Sequence, residues 1–152
     1  EDAARLLGVA MLADVPVDGL DIALAGLPAD LAARARHVVT DTERCRAAAR
    51  AVRDGRPREL GPILTAAHVS MRDDFAASAP AVDAAVAAAV EAGALGARIT
   101  GGGFGGACIA LVELDAAPGI AERVTAAVAA AGHPTPTTFV VRASDGARRE
   151  QP

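Results

Sequence analysis

Five glycines in six positions, Gly101, Gly102, Gly103, Gly105 and Gly106 around Phe104, constrain this 152-residue chain more than any other stretch. Glycine reaches positive φ and leaves room beside the main chain, so the stretch predicts a tight path that another group approaches closely. The residues after it decide what kind of loop it is. Ala107 to Val112 is an apolar run closed by Glu113 and Asp115, which reads as a buried strand rather than a helix. A phosphate loop of the Walker type requires Lys, then Ser or Thr, then a helix, and these are missing. Gly101, Gly103 and Gly106 match the dinucleotide spacing, but no helix follows, and that reading is rejected too. The loop is therefore expected to join strands at about 97–100 and 107–112. Its consecutive backbone N–H groups suit an anion-binding concavity. The plainer alternative is a structural hairpin turn.

Composition narrows the remaining classes. The length suits one domain with its own core. Hydrophobic residues make up 52% of the chain and aromatics 2%, so the core has to be built from Ala, Val, Leu and Ile in close contact. All 15 basic residues are Arg, which removes Schiff-base chemistry and a lysine phosphate clamp. A net charge of −4 argues against a nucleic-acid partner. Cys45 and Cys108 have neither metal spacing nor a disulfide framework and read as buried free thiols in a reducing cytosol. No signal peptide or membrane-spanning run is visible, and a chain beginning at Glu1 leaves open what precedes it.

Helical periodicity dominates the first two thirds. Helix formers run from Asp2 to Leu12, a short helix is expected near Leu20 to Ala25, and Gly26 stops it. From Pro28 a long amphipathic helix carries Leu31, Ala35, Val38, Thr42, Cys45, Ala49 and Val52 on one stripe, with a charged outer face. Gly55 and Pro57 turn the chain into a helix over about 58–72 with Leu60, Leu64, Ala67 and Met71 inward, and the two are expected to pair as a hairpin. His68 lies beside that seam and reads as a hydrogen-bonded boundary residue rather than a base or ligand. Arg72, Asp73 and Asp74 suit an ion-pair and capping cluster at the helix end, although paired carboxylates also suit a metal or a base. Ser78 and Pro80 open a helix with Val82, Val86 and Val90 inward, ended by Gly93. After the glycine hairpin comes a last helix carrying Ile120, Val124, Ala127 and Ala131, then a strand over 137–142 and a frayed polar tail beyond Ser144. The fold class expected is α+β, helices packed on an antiparallel sheet.

The letters themselves add a resemblance. Arg98-Ile99-Thr100, the glycines and Phe104 resemble the third signature motif of the galactokinases, in the superfamily that includes homoserine, mevalonate and phosphomevalonate kinases. His68-Val69-Ser70-Met71-Arg72-Asp73-Asp74-Phe75, followed by Ser78, Pro80 and Asp83, is similar to the galactokinase segment before that motif. Arg34-Ala35-Arg36-His37-Val38-Val39-Thr40 is a third match in the same order, and Thr138-Phe139-Val140-Val141 a weaker one. Ala107 departs from a common Cys, and Ala76, Ala79 and Ala81 from larger residues.

The resemblance implies that residues 1–152 form one domain, the C-terminal part of a two-domain kinase. That kinase would transfer the γ-phosphoryl group of MgATP to the 1-hydroxyl of α-D-galactose. The sugar motif, the Ser-rich ATP loop and the catalytic Arg and Asp would lie in an N-terminal domain, which would also bind most of the ATP and Mg2+. No catalytic or metal-binding residue is assigned here, and Arg72, Asp73 and Asp74 would be structural. Thr100, Gly101, Gly102, Gly103, Phe104, Gly105 and Gly106 would lie near the ATP phosphates in a supporting role. A cytoplasmic enzyme of galactose metabolism, with no nucleic-acid or membrane partner, is expected. Another kinase of the superfamily, a non-catalytic galactokinase-like sugar sensor and a stand-alone ligand-binding regulatory domain are the alternatives.

Overall fold

The glycine hairpin is held by helices on both sides of it in the chain. The computed structural model describes residues 1–144 and 146. Its helices are α1 (Asp2–Leu6), α2 (Leu20–Leu24), α3 (Ala29–Arg53), α4 (Leu60–Asp73), α5 (Pro80–Glu91) and α6 (Ala117–Ala130). Strands β1 (Gly96–Thr100) and β2 (Ala107–Leu111) stand between α5 and α6, and short 3-10 turns occupy Leu12–Asp14 and Pro57–Glu59. The strands pair antiparallel, from Gly96 opposite Leu111 to Thr100 opposite Ala107. This is the α+β arrangement of helices on an antiparallel sheet. Gly8, at φ 69°, stops α1 short of the run expected to reach Leu12.

Two apolar clusters hold the chain together. One joins Val82, Ala85, Val86 and Ala89 of α5, Ala97 and Ile99 of β1, and Ile120, Val124 and Val128 of α6. Pro80 suits the first turn of α5, and steps of three and four bring Val82, Val86 and Ala89 to one face. Val90, expected inward, is 38% exposed. The second cluster packs Ala3, Val15, Leu20 and Leu24 around Ala35 and Val39 of α3. On α3 the stripe differs from expectation, for Ala35, His37, Val39 and Ala51 are buried while Cys45 and Val52 are exposed. Alternating steps of four and three follow a 3.5-residue period, and a straight α-helix drifts about 20° from it per heptad, so one stripe cannot stay inward along the whole helix.

Between α4 and β1 the backbones almost touch. A Cβ on Gly61 would collide with the Leu95 carbonyl, and one on Gly96 with the Gly61 carbonyl, closer than any real Cβ contact. Only hydrogen fits at either position.

Three expectations are corrected here. β2 is not a buried strand: Ala107, Ile109 and Ala110 are exposed and Cys108 and Leu111 half-buried, because among the described residues no layer covers its outer face. Residues 137–142 form no strand, and Phe139 is 80% exposed, since an extended run becomes a strand only against a free edge in reach. The thiols are not both buried: Cys45 lies on the outside of α3 and Cys108 is half-covered, with burial pushing its thiol pKa up. The tail beyond Ser144 falls almost wholly outside the described residues.

Candidate functional site

Strand, loop and strand follow one another as the apolar run after Gly106 predicts, with β2 beginning at Ala107. Gly101, Gly103, Gly105 and Gly106 take φ of 86°, 88°, 115° and 95°. Phe104 also lies at positive φ, 62°, where a side chain is disfavoured. The loop has an inner side resting on residues 77–79. Phe104 N–H donates to the Ala77 carbonyl at 2.6 Å. A Cβ on Gly103 would stand 2.8 Å from that oxygen, and one on Gly105 would reach the Ala79 methyl at 3.5 Å. The outer side is open: added Cβ atoms at Gly101, Gly102 and Gly106 meet nothing within 4 Å, and Thr100 is exposed. The loop thus keeps the close approach of main chain to main chain that its composition predicts.

Phe104 is 78% exposed, so its conformation is not repaid by core burial. Ala76, at φ 55°, is the other non-glycine residue at positive φ among those described, and it immediately precedes Ala77. Backbone strain of about 1–3 kcal/mol per residue persists only where surrounding contacts fix it, and such strain gathers at functional sites. One strained residue, Phe104, donates the hydrogen bond, and the other, Ala76, precedes its acceptor.

Beneath the loop lies a polar chain that joins three elements. His68 of α4 is 3% exposed, and its Nδ1 accepts the Ile99 N–H of β1 at 3.3 Å. Its Nε2 stands 3.2 Å from Asp83 Oδ1 of α5, without the alignment of a full hydrogen bond. Ser78 Oγ donates to the same carboxylate oxygen at 2.5 Å. His68 is therefore hydrogen-bonded, as expected, but sits in the core rather than at its boundary. Sequence reading missed this because β1, the element that covers it, lies 31 residues away. Ser78, expected to cap α5, serves Asp83 instead.

The flanking acids are spoken for. Arg72 holds Asp73 through two hydrogen bonds of 2.7 and 2.9 Å, which keeps the Asp73 carboxyl below its usual range. Asp74 accepts the Ser70 hydroxyl at 2.7 Å, and Ser70 Oγ stands 3.0 Å from His37 Nδ1. A hydroxyl has one proton, and Ser70 gives it to a carboxylate, so His37 donates from Nδ1. Ile99 N–H can only donate, so His68 carries its proton on Nε2. The two buried rings are thus opposite tautomers, and long-range proton–nitrogen spectra are expected to show Nδ1–H for His37 and Nε2–H for His68; the same tautomer at both would contradict these contacts. Among the described residues, no cluster of three His, Cys, Asp or Glu is placed to hold a metal ion. An open groove along α3, lined by His37, Val38, Asp41, Thr42, Cys45 and Phe75, includes none of the loop residues.

Burial is the leading cause that lowers both imidazoles from the ordinary 6.5. Asp41 and Asp74 oppose it at His37, where Arg44 and Arg98 assist. Asp83 opposes it at His68, where Arg72 and Arg98 assist. On acidification the unfolded chain takes up these protons first, near 6.5. Stability contributed by the neutral rings is therefore present above that value and lost as pH falls below it. Melting temperature is expected to drop between about pH 7 and pH 5.5, and a flat profile would show that the rings titrate alike in both states.

Residues 48–130 match the family described as GHMP kinases C terminal. The chain belongs to that family. Within it the similarity runs to galactokinases: it is 45% identical to a galactokinase of Streptomyces coelicolor over 98% of this chain and 39% of that protein. A galactokinase of Bos taurus is 39% identical over 97% of this chain and 37% of its own length. Among solved structures, Lactococcus lactis galactokinase complexed with galactose superposes with a TM-score of 0.81 at 30% identity, over 88% of this chain and 36% of the other. The chain thus spans under two fifths of the length of these two proteins and that structure.

Proposed function

We propose that these residues are the C-terminal domain of a galactokinase whose N-terminal domain, on the same polypeptide, binds most of the ATP and the sugar. The whole enzyme would transfer the γ-phosphoryl group of MgATP to the 1-hydroxyl of α-D-galactose in the cytoplasm. Phosphoryl transfer is mostly positioning and electrostatic stabilisation. This domain would contribute to the positioning.

The observation that carries the reading is the glycine loop: its inner side is fastened to Ala77 while its outer rim, with Phe104 projecting, is left open. The galactokinase similarity over 98% of the chain supports the reading that this rim would face the nucleotide. Backbone N–H groups at Gly101, Gly102 and Gly106 would lie beside the ATP phosphates, supporting rather than enclosing them. In this reading Mg2+ would be held mainly by the N-terminal domain, since in this chain Arg72 engages Asp73 and the Ser70 hydroxyl engages Asp74. Exposed Ile109, Phe139, Val140 and Val141 offer the apolar surface that a second domain would cover.

Product identification by the full-length chain tests this. With ATP and Mg2+, galactose is expected to become a sugar phosphate carrying its phosphorus on the anomeric oxygen, read from the phosphorus–proton coupling at that carbon. Phosphorylation of homoserine or mevalonate in place of galactose would assign another kinase of the superfamily. Galactose binding with no product from any of them would assign a sugar sensor.

A further inference from the structure

The glycine loop has two footings. Its first strand ends at Ile99 and Thr100, and its middle is fastened at Phe104 to the Ala77 carbonyl. The polar chain beneath it ties the two together: His68 takes the Ile99 N–H, Asp83 faces His68, and Asp83 accepts the hydroxyl of Ser78, the residue after Ala77. From the footings outward, the path closes into a ring through β1, the loop, residues 77–78, α5 and α4.

We propose that His68 and Asp83 are positioning residues that set the height of the glycine loop against the nucleotide, so that His68 acts on phosphoryl transfer through Ile99 and Phe104 without touching substrate. The proposal rests on the galactokinase reading above. Three observations support it. His68 is 3% exposed, and its Nε2 is buried without an aligned partner, which an apolar residue would avoid if packing were the only requirement. Its acceptor falls on the backbone group immediately before Thr100, so a shift of β1 moves the point at which the chain enters the loop. And the carboxylate behind it is shared with the segment that anchors Phe104. Each link joins an element that enters the loop to one that holds it.

The substitutions that separate positioning from packing are His68→Leu, which fills similar space without an acceptor, and His68→Asn, whose side-chain oxygen occupies roughly the place of Nδ1. Made in the full-length chain, His68→Leu is expected to speed hydrogen exchange at the Phe104 amide about tenfold and to lower kcat/KM for ATP about tenfold, with KM for galactose unchanged. His68→Asn is expected to restore both. Asp83→Asn, which keeps the volume, should reproduce the ATP effect if His68→Leu fails to fold. Unchanged Phe104 exchange in a folded His68→Leu, or faster exchange with wild-type kinetics, would overturn the proposal. So would equal losses in His68→Leu and His68→Asn. If the wild-type chain shows no kinase turnover, the galactokinase reading fails, and Phe104 exchange alone decides whether the ring holds the loop.

Discussion

Gly96→Ala is expected to destabilise the protein by about 3 kcal/mol, the upper end of what forcing atoms into a filled interior costs. The added methyl would meet the Gly61 carbonyl, a backbone group that cannot rotate aside, and α4 would have to move from β1. Moving it would also stretch the His68 contact to Ile99. Denaturant unfolding of the full-length chain, with the slope held constant, reads the loss as a lower midpoint. Gly102→Ala is the control, since its φ is not positive and nothing lies within 4 Å, and it should stay within about 0.5 kcal/mol of wild type. Equal midpoints for the two variants would show that the α4–β1 approach has room to spare.

The second large effect is kinetic. Gly103→Val places a branched side chain at φ 88° and against the Ala77 carbonyl. Because the loop's outer side is open, it can lift away from Ala77 rather than unfold the domain, at a cost of about 1–3 kcal/mol in strain and the Phe104 hydrogen bond. A displacement of the order of 1 Å near reacting groups lowers turnover by as much as about 100-fold, so kcat/KM of the full-length enzyme should fall far more than stability. A large fall in melting temperature with unchanged activity per folded molecule would mean that the loop is only structural.

How far the sequence was legible follows from how local each feature is. The hairpin was readable because Gly101 to Gly106 and the apolar run after them lie within twelve consecutive residues. Helix ends were readable for the same reason: Pro80 opens α5 at its first turn, and Gly55 and Gly93, at φ of 68° and 103°, stand just past the ends of α3 and α5. Burial was not. Gly61 gives no local sign that Gly96 presses on it, because the two meet only when α4 packs on β1. His68 looks like a boundary residue until that same packing buries it. The run 137–142 has the alternation of a strand, but a strand also needs an edge, which no local pattern supplies. At the site, the loop residues form one group that the sequence itself displays, whereas Ala77, an alanine acting through its carbonyl, carries no sequence signal at all.

In the proposed enzyme this chain would supply a loop support to a kinase whose reacting groups lie elsewhere in the polypeptide. Galactose-dependent ADP release from MgATP, measured with the full-length chain and with residues 1–152 alone, separates the two parts. An isolated rim of N–H groups competes with water and gains only about 0.5–1.5 kcal/mol per contact, too little to hold ATP by itself. Turnover by the full chain and none by the segment is the predicted result; turnover by the segment alone, or none by the full chain, would contradict it.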